Sequence, residues 1–454
     1  MSATLGIDIG LSGVRASVMR EDGSVPATAR VALPPRIREG IAEQDPNAWV
    51  SAVIDAGARA VDAAGIRIDG VGVTALGPAP ILIDADGRAL TPTPLFGLDR
   101  RADPWRAELS TGPDHALPTL LRWRKDEPDL LRSARSLLDA TGFVVRSLTG
   151  EETMDRITAA SYLWEDVDAP VALPAPAEPD AVAGGVRASP AAALGLGAGT
   201  PVAVGTIDCF ADVAAAGVAA LGDGAVLLGS TLILYVVGRP GPPPPGLETS
   251  PHLGEGVLIG GSTATAGLAL EWLAGILGAD RSTLSEQAAE LDRDSGGLLA
   301  LPYLAGERTP LNDAGARGVL AGLTLATGRE QVYRSFVDGI AITALDVAAR
   351  LEASPQAYRV AGGGVDDAAW LTATCDALGV TLEVMPDPGA AVGAAWLAHR
   401  MEGEAPKRLP ERVIEPNPAR HGWYRAQLAR SKELWDAAAP VMHSFAPGRE
   451  VLYA

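Results

Sequence analysis

Asp8 and Asp208 each close an apolar, strand-like run: Leu5–Asp8 at the start of the chain, and the segment from Pro201 that reads PVAVGTID. A carboxylate just past the C-terminal end of a strand sits where open α/β sheets hold their ligands, and there it can serve as a general base. It can equally cap the helix that follows. Three glycine turns accompany the acids: Gly10-Leu11-Ser12-Gly13, Gly229-Ser230-Thr231 and Gly362-Gly363-Gly364. Such turns let a ligand approach the backbone and offer N–H and hydroxyl donors to phosphate. Ordinary tight turns explain any one of them. None is a Walker loop, since no Gly-Lys-Ser/Thr follows, and none has the dinucleotide spacing G-x-G-x-x-G. Three turns together with two strand-end acids point to a phosphoryl-transfer cleft.

The elements that must position these residues alternate between strand and helix, which predicts an α/β fold. Strands at Leu5–Asp8 and Val14–Met19 flank the first turn, with a hairpin turn at Asp22-Gly23. Asp45-Pro46 opens a helix, with Trp49, Val53, Ala56 and Ala60 on one face. Strands are expected at Val71–Leu76 and Ile81–Ile83, and helices at Thr119–Arg124, Leu130–Leu138 and Thr141–Leu148. Ala169–Gly185 reads as a connecting loop. The strand–turn–strand plan then recurs at Ala225–Leu228 and Leu232–Val237, which predicts two similar domains, residues 1–221 and 222–454, facing a shared cleft. Pro240–Gly246 is too proline-dense for helix or central strand. Helices are expected over Ser262–Leu277 and Glu330–Glu352, and Tyr358–Ala361 forms a strand running through the third glycine turn into a helix to Leu378.

At 454 residues, with 47% hydrophobic content, the chain buries substantial cores. Its net charge of −19 argues against a nucleic-acid surface but not against a small anion held by local donors. No run of about 18 apolar residues and no secretory leader is present, which excludes a membrane partner and predicts a cytoplasmic protein. Two cysteines, Cys209 and Cys375, exclude a disulfide framework, and five histidines without ligand spacing argue against zinc. Cys209 is expected to be a small buried residue, and Trp49, Trp272 and Trp370 are expected in the core.

Several segments, in order, carry a more specific likeness. GIDIGLSGVR, the EQDP of Glu43–Pro46, GTIDCFADVAAAG with LLGST, LPYLAGERTP at Leu301–Pro310, ARGVLAGLTL at Ala316–Leu325, and VAGGGVDDAAWLTATCDALGV with VGAAWLA resemble the FGGY carbohydrate kinases, closest to the xylulokinase branch. The likeness runs from about residue 5 to residue 400. It implies two actin-like, ribonuclease-H-like domains flanking a central cleft where ATP and a small sugar or polyol meet. By motif position Asp208 is the catalytic base and also touches the sugar, Asp8 holds Mg²⁺ with the phosphates, and Gly10, Leu11, Ser12, Gly13, Gly229, Ser230 and Thr231 line them. Gly267, Glu271, Gly363 and Gly364 fall on the adenosine side.

Departures from the family's pattern gather at the acceptor. Gly77 and Pro78 replace a Met-His pair that touches the sugar, and Phe96 and Leu98 replace an aromatic and an acid ahead of Arg100, with Asp99 displaced by one. His115 lies near a sugar-contacting position of the glycerol kinases. Leu11 replaces the usual Thr of the first turn, and Asp366-Asp367 stand where a basic residue is common. Glu307, Arg308 and Thr309 match in type and order, and either fix a cleft loop as a buried pair or contact ligand. The expected activity is ATP-dependent phosphorylation of a ketopentose such as xylulose. A glycerol, tetritol or heptulose acceptor, or a non-catalytic binding homologue, are the alternatives, and family habit implies a monomer or a homodimer.

Overall fold

The computed structural model describes residues 3–95, 98–105, 116–162, 171–291, 295–386, 389–401, 403 and 407–445. By its internal contacts the chain divides into two compact units, Met1–Gly217 with Pro388–Arg408, and Val218–Asp387 with Leu409–Ala454. A single cut after Leu221 leaves out one return crossing, that of the Gly389–Arg400 helix to the first unit. Its small residues explain the return. A Cβ on Gly6 or Gly72 would stand 1.8 Å from the carbonyl oxygen of Ala391 or Ala394, so this helix lies directly on the backbone of two strands. The Thr4 hydroxyl donates to Ala395 O at 2.8 Å across the same contact.

The first unit is built on a seven-stranded sheet. Ala27–Ala32, Gly13–Arg20 and Ala3–Gly10 run antiparallel; Gly70–Ala75 then joins Ala3–Gly10 in parallel, and Pro201–Ala203 and Thr206–Ile207 both join Gly70–Ala75 in parallel. Val182–Gly185 closes the edge, within the stretch expected to be only a loop. The helix Pro46–Ala64 begins as its sequence requires, with the Asp45 carboxylate accepting the Asn47 N–H and Pro46 in the first turn. Its buried Trp49, Val53, Ala56 and Ala60 share a core with Leu5, Ile7, Val71 and Val73. The expected helix over Leu130–Leu138 is shorter, Pro128–Ser133, because Ser136–Leu138 instead pairs with Ile81–Ile83 as a strand.

The second unit repeats the plan. Its sheet runs Glu248–Pro251, Val257–Ser262, Leu232–Gly238, Gly224–Leu228, Ala357–Ala361, Thr381–Val384, Arg412–Ile414, with parallel pairing confined to Gly224–Leu228, Ala357–Ala361 and Thr381–Val384. The helix expected from Ser262 starts at Gly267, because Val257–Ser262 is a strand against Leu232–Gly238. Arg329–Ala348 is a central helix buried over almost its whole length, and Pro418–Phe445 is a long terminal helix. Trp49 and Trp370 are fully buried, whereas Trp272 is 50% exposed. The Gly267–Leu277 helix is apolar on more than one face, so composition alone does not reveal which side meets the core.

Candidate active site

In the first unit, strand register aligns the chemistry. Asp8 pairs with Thr74, and Thr74 pairs with Thr206, placing the three in one row across parallel strands. The Thr74 hydroxyl donates to Asp8 Oδ1 at 3.4 Å. Asp208 follows the last paired residue, Ile207, and is the first residue of the helix Asp208–Ala215. It does not cap that helix: the cap position is Ile207, and Asp208 Oδ1 instead accepts the N–H of Cys209 at 2.7 Å. Two close approaches fix this corner. Gly205 has φ +79 and a Cβ there would stand 2.1 Å from Val73 O, while a Cβ on Gly77 would meet Ile207 Cγ1 at 2.8 Å. Pro78 is buried beside it.

Electrostatics separates the two acids. Burial, then the neighbouring charges of Asp208 and Asp212, push the Asp8 carboxyl up to about 8, against the opposing pull of Arg15 and Thr74. Burial pushes Asp208 up to about 6, with the Cys209 N–H acting in the other direction. A half-buried carboxylate that titrates near neutrality is suited to accept a proton, and a buried carboxyl raised further by neighbouring acids is suited to a hard cation.

The turn Gly10–Gly13 is a two-residue hairpin with Leu11 and Ser12 exposed at its tip. Gly13 has φ +148, and a Cβ there would stand 2.2 Å from Val31 O, so no side chain fits. Gln44, of the EQDP segment, holds the turn from behind. Its Nε2 donates to Leu11 O at 2.7 Å and Leu33 O at 3.2 Å, and its Oε1 accepts the Trp49 indole N–H at 3.0 Å. Arg30 Nη2 donates to Ser12 Oγ at 2.6 Å.

In the second unit the turn Gly229-Ser230-Thr231 joins Gly224–Leu228 to Leu232–Gly238, with Gly229 and Ser230 exposed. The N–H groups of Ala266 and Leu268 donate to Ser230 O, and that of Gly267 to Gly229 O. Gly267 is buried with Arg281 as a near neighbour, and Glu271 is exposed on the same helix. Gly362 has φ +98; Gly364 packs under Trp370, while Gly363 faces open space. Asp367 carries no free charge into this corner. It caps the Ala368–Leu378 helix through the Trp370 N–H, accepts from Arg281, Tyr333 and Ser285, and leaves only Asp366 exposed. Glu307 accepts the N–H groups of Ala264 and Arg308, both at 2.8 Å, and Arg308 donates to Thr263 O at 3.1 Å. These contacts fix the backbone that leads into Gly267, in keeping with a loop-fixing role.

Among the remaining expectations, Cys209 is exposed rather than buried, because it occupies the first turn of the Asp208 helix on its outer side. Phe96 and His115 lie outside the described residues. Leu98 is part-exposed, and beside it Arg101 pairs with Asp99 and Glu43. Sequence reasoning missed Gln44, Asp212, Thr74 and Arg281. Asp212 had a signal, four residues after Asp208 and hence on the same helix face; Thr74 had none, since only strand register brings it to Asp8.

Residues 3–217 match the N-terminal domain, and residues 218–402 the C-terminal domain, of the FGGY family of carbohydrate kinases. The chain belongs to that family: it is a phosphotransferase of carbohydrates with the actin-like, ribonuclease-H-like fold, and kinases of this family take ATP as substrate. It is 28% identical over 486 residues to the xylulose kinase of Escherichia coli (strain K12), covering 96% of this chain and 99% of that protein. The crystal structure of xylulose kinase from Rhodospirillum rubrum is similar with a TM-score of 0.86 at 27% identity, over 97% of this chain and all of the other. A glycerol kinase of Halorhodospira halophila is 34% identical over 169 residues, 35% of this chain. Among the described residues no helix is long and apolar enough to cross a membrane.

Proposed function

We propose that this kinase transfers the γ-phosphoryl group of ATP to a hydroxyl of xylulose or a closely related ketopentose, with Asp208 as general base. The observation that carries the reading is the strand-end placement of Asp208, outside any capping role and with its carboxyl raised to about 6. The acceptor hydroxyl gives its proton to Asp208 as its oxygen attacks the γ-phosphorus, and the bond to the ADP oxygen breaks. General-base assistance of this kind contributes about 10²–10⁴-fold, alignment and charge neutralisation supplying the rest. Gly10–Gly13 and Gly229–Thr231 line the phosphates, and Gly267, Glu271 and the exposed Gly363 flank the adenosine.

Mg²⁺ fits the donors present. Among the described residues no group of three or more His, Cys, Asp or Glu side chains is arranged to hold a metal alone. Magnesium usually takes one or two carboxylates plus substrate phosphate oxygens and water, and a cation would offset the burial and the neighbouring charges of Asp208 and Asp212 that raise Asp8. Asp8 would be its ligand, and the ion would supply neutralisation of phosphate charge.

The acceptor rests on the full-length likeness to proteins named xylulose kinase. A second acceptor class, glycerol or another polyol or ketose, is favoured by Gly77 and Pro78, which offer no side-chain hydrogen bond. ADP release followed with a panel of ketoses, aldoses and polyols, with Asp208→Ala as control, tests both. Turnover on xylulose lost in the variant supports the first reading; preferential turnover on a polyol replaces it with the second. An Asp208→Ala enzyme that keeps most of its rate removes the base.

A further inference from the structure

Thr206 lies two residues before Asp208 and is fully buried. Its hydroxyl, as donor, and its main-chain carbonyl, as acceptor, are both engaged by residues from elsewhere in the first unit. Its hydroxyl donates to Asp155 Oδ1 at 3.1 Å, and its carbonyl oxygen accepts the Thr141 hydroxyl at 3.0 Å. Each holder is itself fixed. Asp155 Oδ1 also accepts the N–H groups of Ile157 and Thr158, at 3.0 and 3.1 Å, as the cap of a short helical turn. Thr141 lies in the first turn of the helix Ala140–Thr149, whose cap Asp139 accepts the Gly142 N–H at 3.0 Å. The strand pairing of Thr206 and Ile207 is only two residues long, with the left-handed Gly205 immediately before it. Main-chain pairing alone therefore gives the last step before Asp208 little hold.

We infer that Asp155, Thr141 and Thr206 form a clamp that sets the position of the Asp208 carboxylate, making them positioning residues for phosphoryl transfer. This rests on the reading of Asp208 as the base. The clamp acts through geometry: the charge of Asp155 is not among the influences on Asp208, which are burial and the Cys209 N–H. Thr206→Val keeps the shape and removes the hydroxyl, and Thr206→Ser keeps the hydroxyl. A displacement of about 1 Å at a reacting group costs up to about 10²-fold.

The test measures kcat and KM for Thr206→Val, Thr206→Ser and Thr141→Val, each in the Asp208 and in the Asp208→Asn background, with thermal melting as a check on folding. The expected result is a fall in kcat of about 10–100-fold for both valine variants with the nucleotide KM unchanged, and recovery to within about threefold in Thr206→Ser. In Asp208→Asn the valine substitutions should cost nothing further, since the group they position is already gone. Full kcat in folded Thr206→Val and Thr141→Val, or the same loss in both backgrounds, overturns the clamp. Should Asp208→Asn itself keep the full rate, the assignment of the base fails first, which that single variant reports independently of the clamp.

Discussion

Gln44 offers a sharp test of how the first glycine turn is held. Its amide joins three groups: the carbonyls of Leu11 and Leu33 as acceptors and the indole N–H of the fully buried Trp49 as donor. Gln44→Met keeps the volume and removes all three bonds. The stranded Trp49 N–H costs about 1–3 kcal/mol, and the lost bond to Leu33 O about 0.5–1.5 kcal/mol, whereas Leu11 is exposed and its carbonyl can turn to water. The sum, about 1.5–4.5 kcal/mol, lowers the melting temperature by roughly 3–18 °C in a unit of this size. Trp49→Phe removes the indole donor instead and leaves the Gln44 amide on Leu11 O. Both variants should therefore melt earlier, but only Gln44→Met frees the turn and raises the nucleotide KM, by about 3–10-fold, the equivalent of one ordinary hydrogen bond. Steady-state kinetics with varied ATP, alongside thermal melting, reads both quantities. If Trp49→Phe raises the nucleotide KM as much as Gln44→Met, general loosening explains the effect and the clamp on Leu11 is refuted.

Three further outcomes are expected. Asp208 works in its ionised form, so kcat/KM should fall as pH drops through about 6, and saturation with Mg²⁺ and nucleotide should move that limb lower because a nearby cation favours the carboxylate; a limb near 4 in the free enzyme would contradict the burial of this group. Burial and Asp155 raise Asp139 to about 7, so between its ordinary 3.8 and that value the folded state holds a proton the unfolded chain has released, and stability falls as pH rises across the window. Asp139→Asn has no proton to lose and should gain on the wild type by a few kcal/mol from about pH 4 to pH 7 in denaturant titrations; a wild-type advantage that grows with pH would reverse the sign. Arg281 joins Asp367 and abuts Gly267, tying together two segments of the second unit, so Arg281→Met should raise the nucleotide KM by about 5–30-fold with the acceptor KM unmoved, and a change confined to the acceptor KM would disprove it.

The fold was legible wherever local signals and global packing agree. Asp45-Pro46 with its apolar stripe, the paired hairpins and the strand into Gly362 need only caps, periodicity and glycine to be recognised. It was not legible where a short apolar segment has two destinies. Ser136–Leu138 continues a helical pattern yet finds a partner strand, and Val257–Ser262 pairs before the helix can start at Gly267. Trp272 shows the same ambiguity in a helix apolar on several faces. The return of Gly389–Arg400 to the first unit is encoded in Gly6 and Gly72, but their meaning is a close approach to a segment distant in sequence, around Ala391 and Ala394, which no local pattern carries.

For the candidate site, the residue types were legible and the side chains that support them were not. The residue types at Asp8, Asp208 and the glycine turns suffice to suggest phosphoryl transfer, because few structural needs place carboxylates and glycines at successive strand ends. Their supports are Gln44, Thr74, Thr206, Asp155 and Thr141, ordinary polar residues whose work appears only when register and packing bring them to a carbonyl or a hydroxyl. Asp208 itself shows how the two levels differ. As a residue type before an Ala-rich helix it reads equally as cap or base. One position removes the cap reading: Ile207 stands at the cap and Asp208 accepts the Cys209 N–H, which leaves the proposed base as the reading of this carboxylate. The proposed clamp would aim it from just before the last strand pair, while the helix that Asp208 opens is held on the Gly389–Arg400 helix, where a Cβ on Gly393 would stand 2.0 Å from Ala211 O.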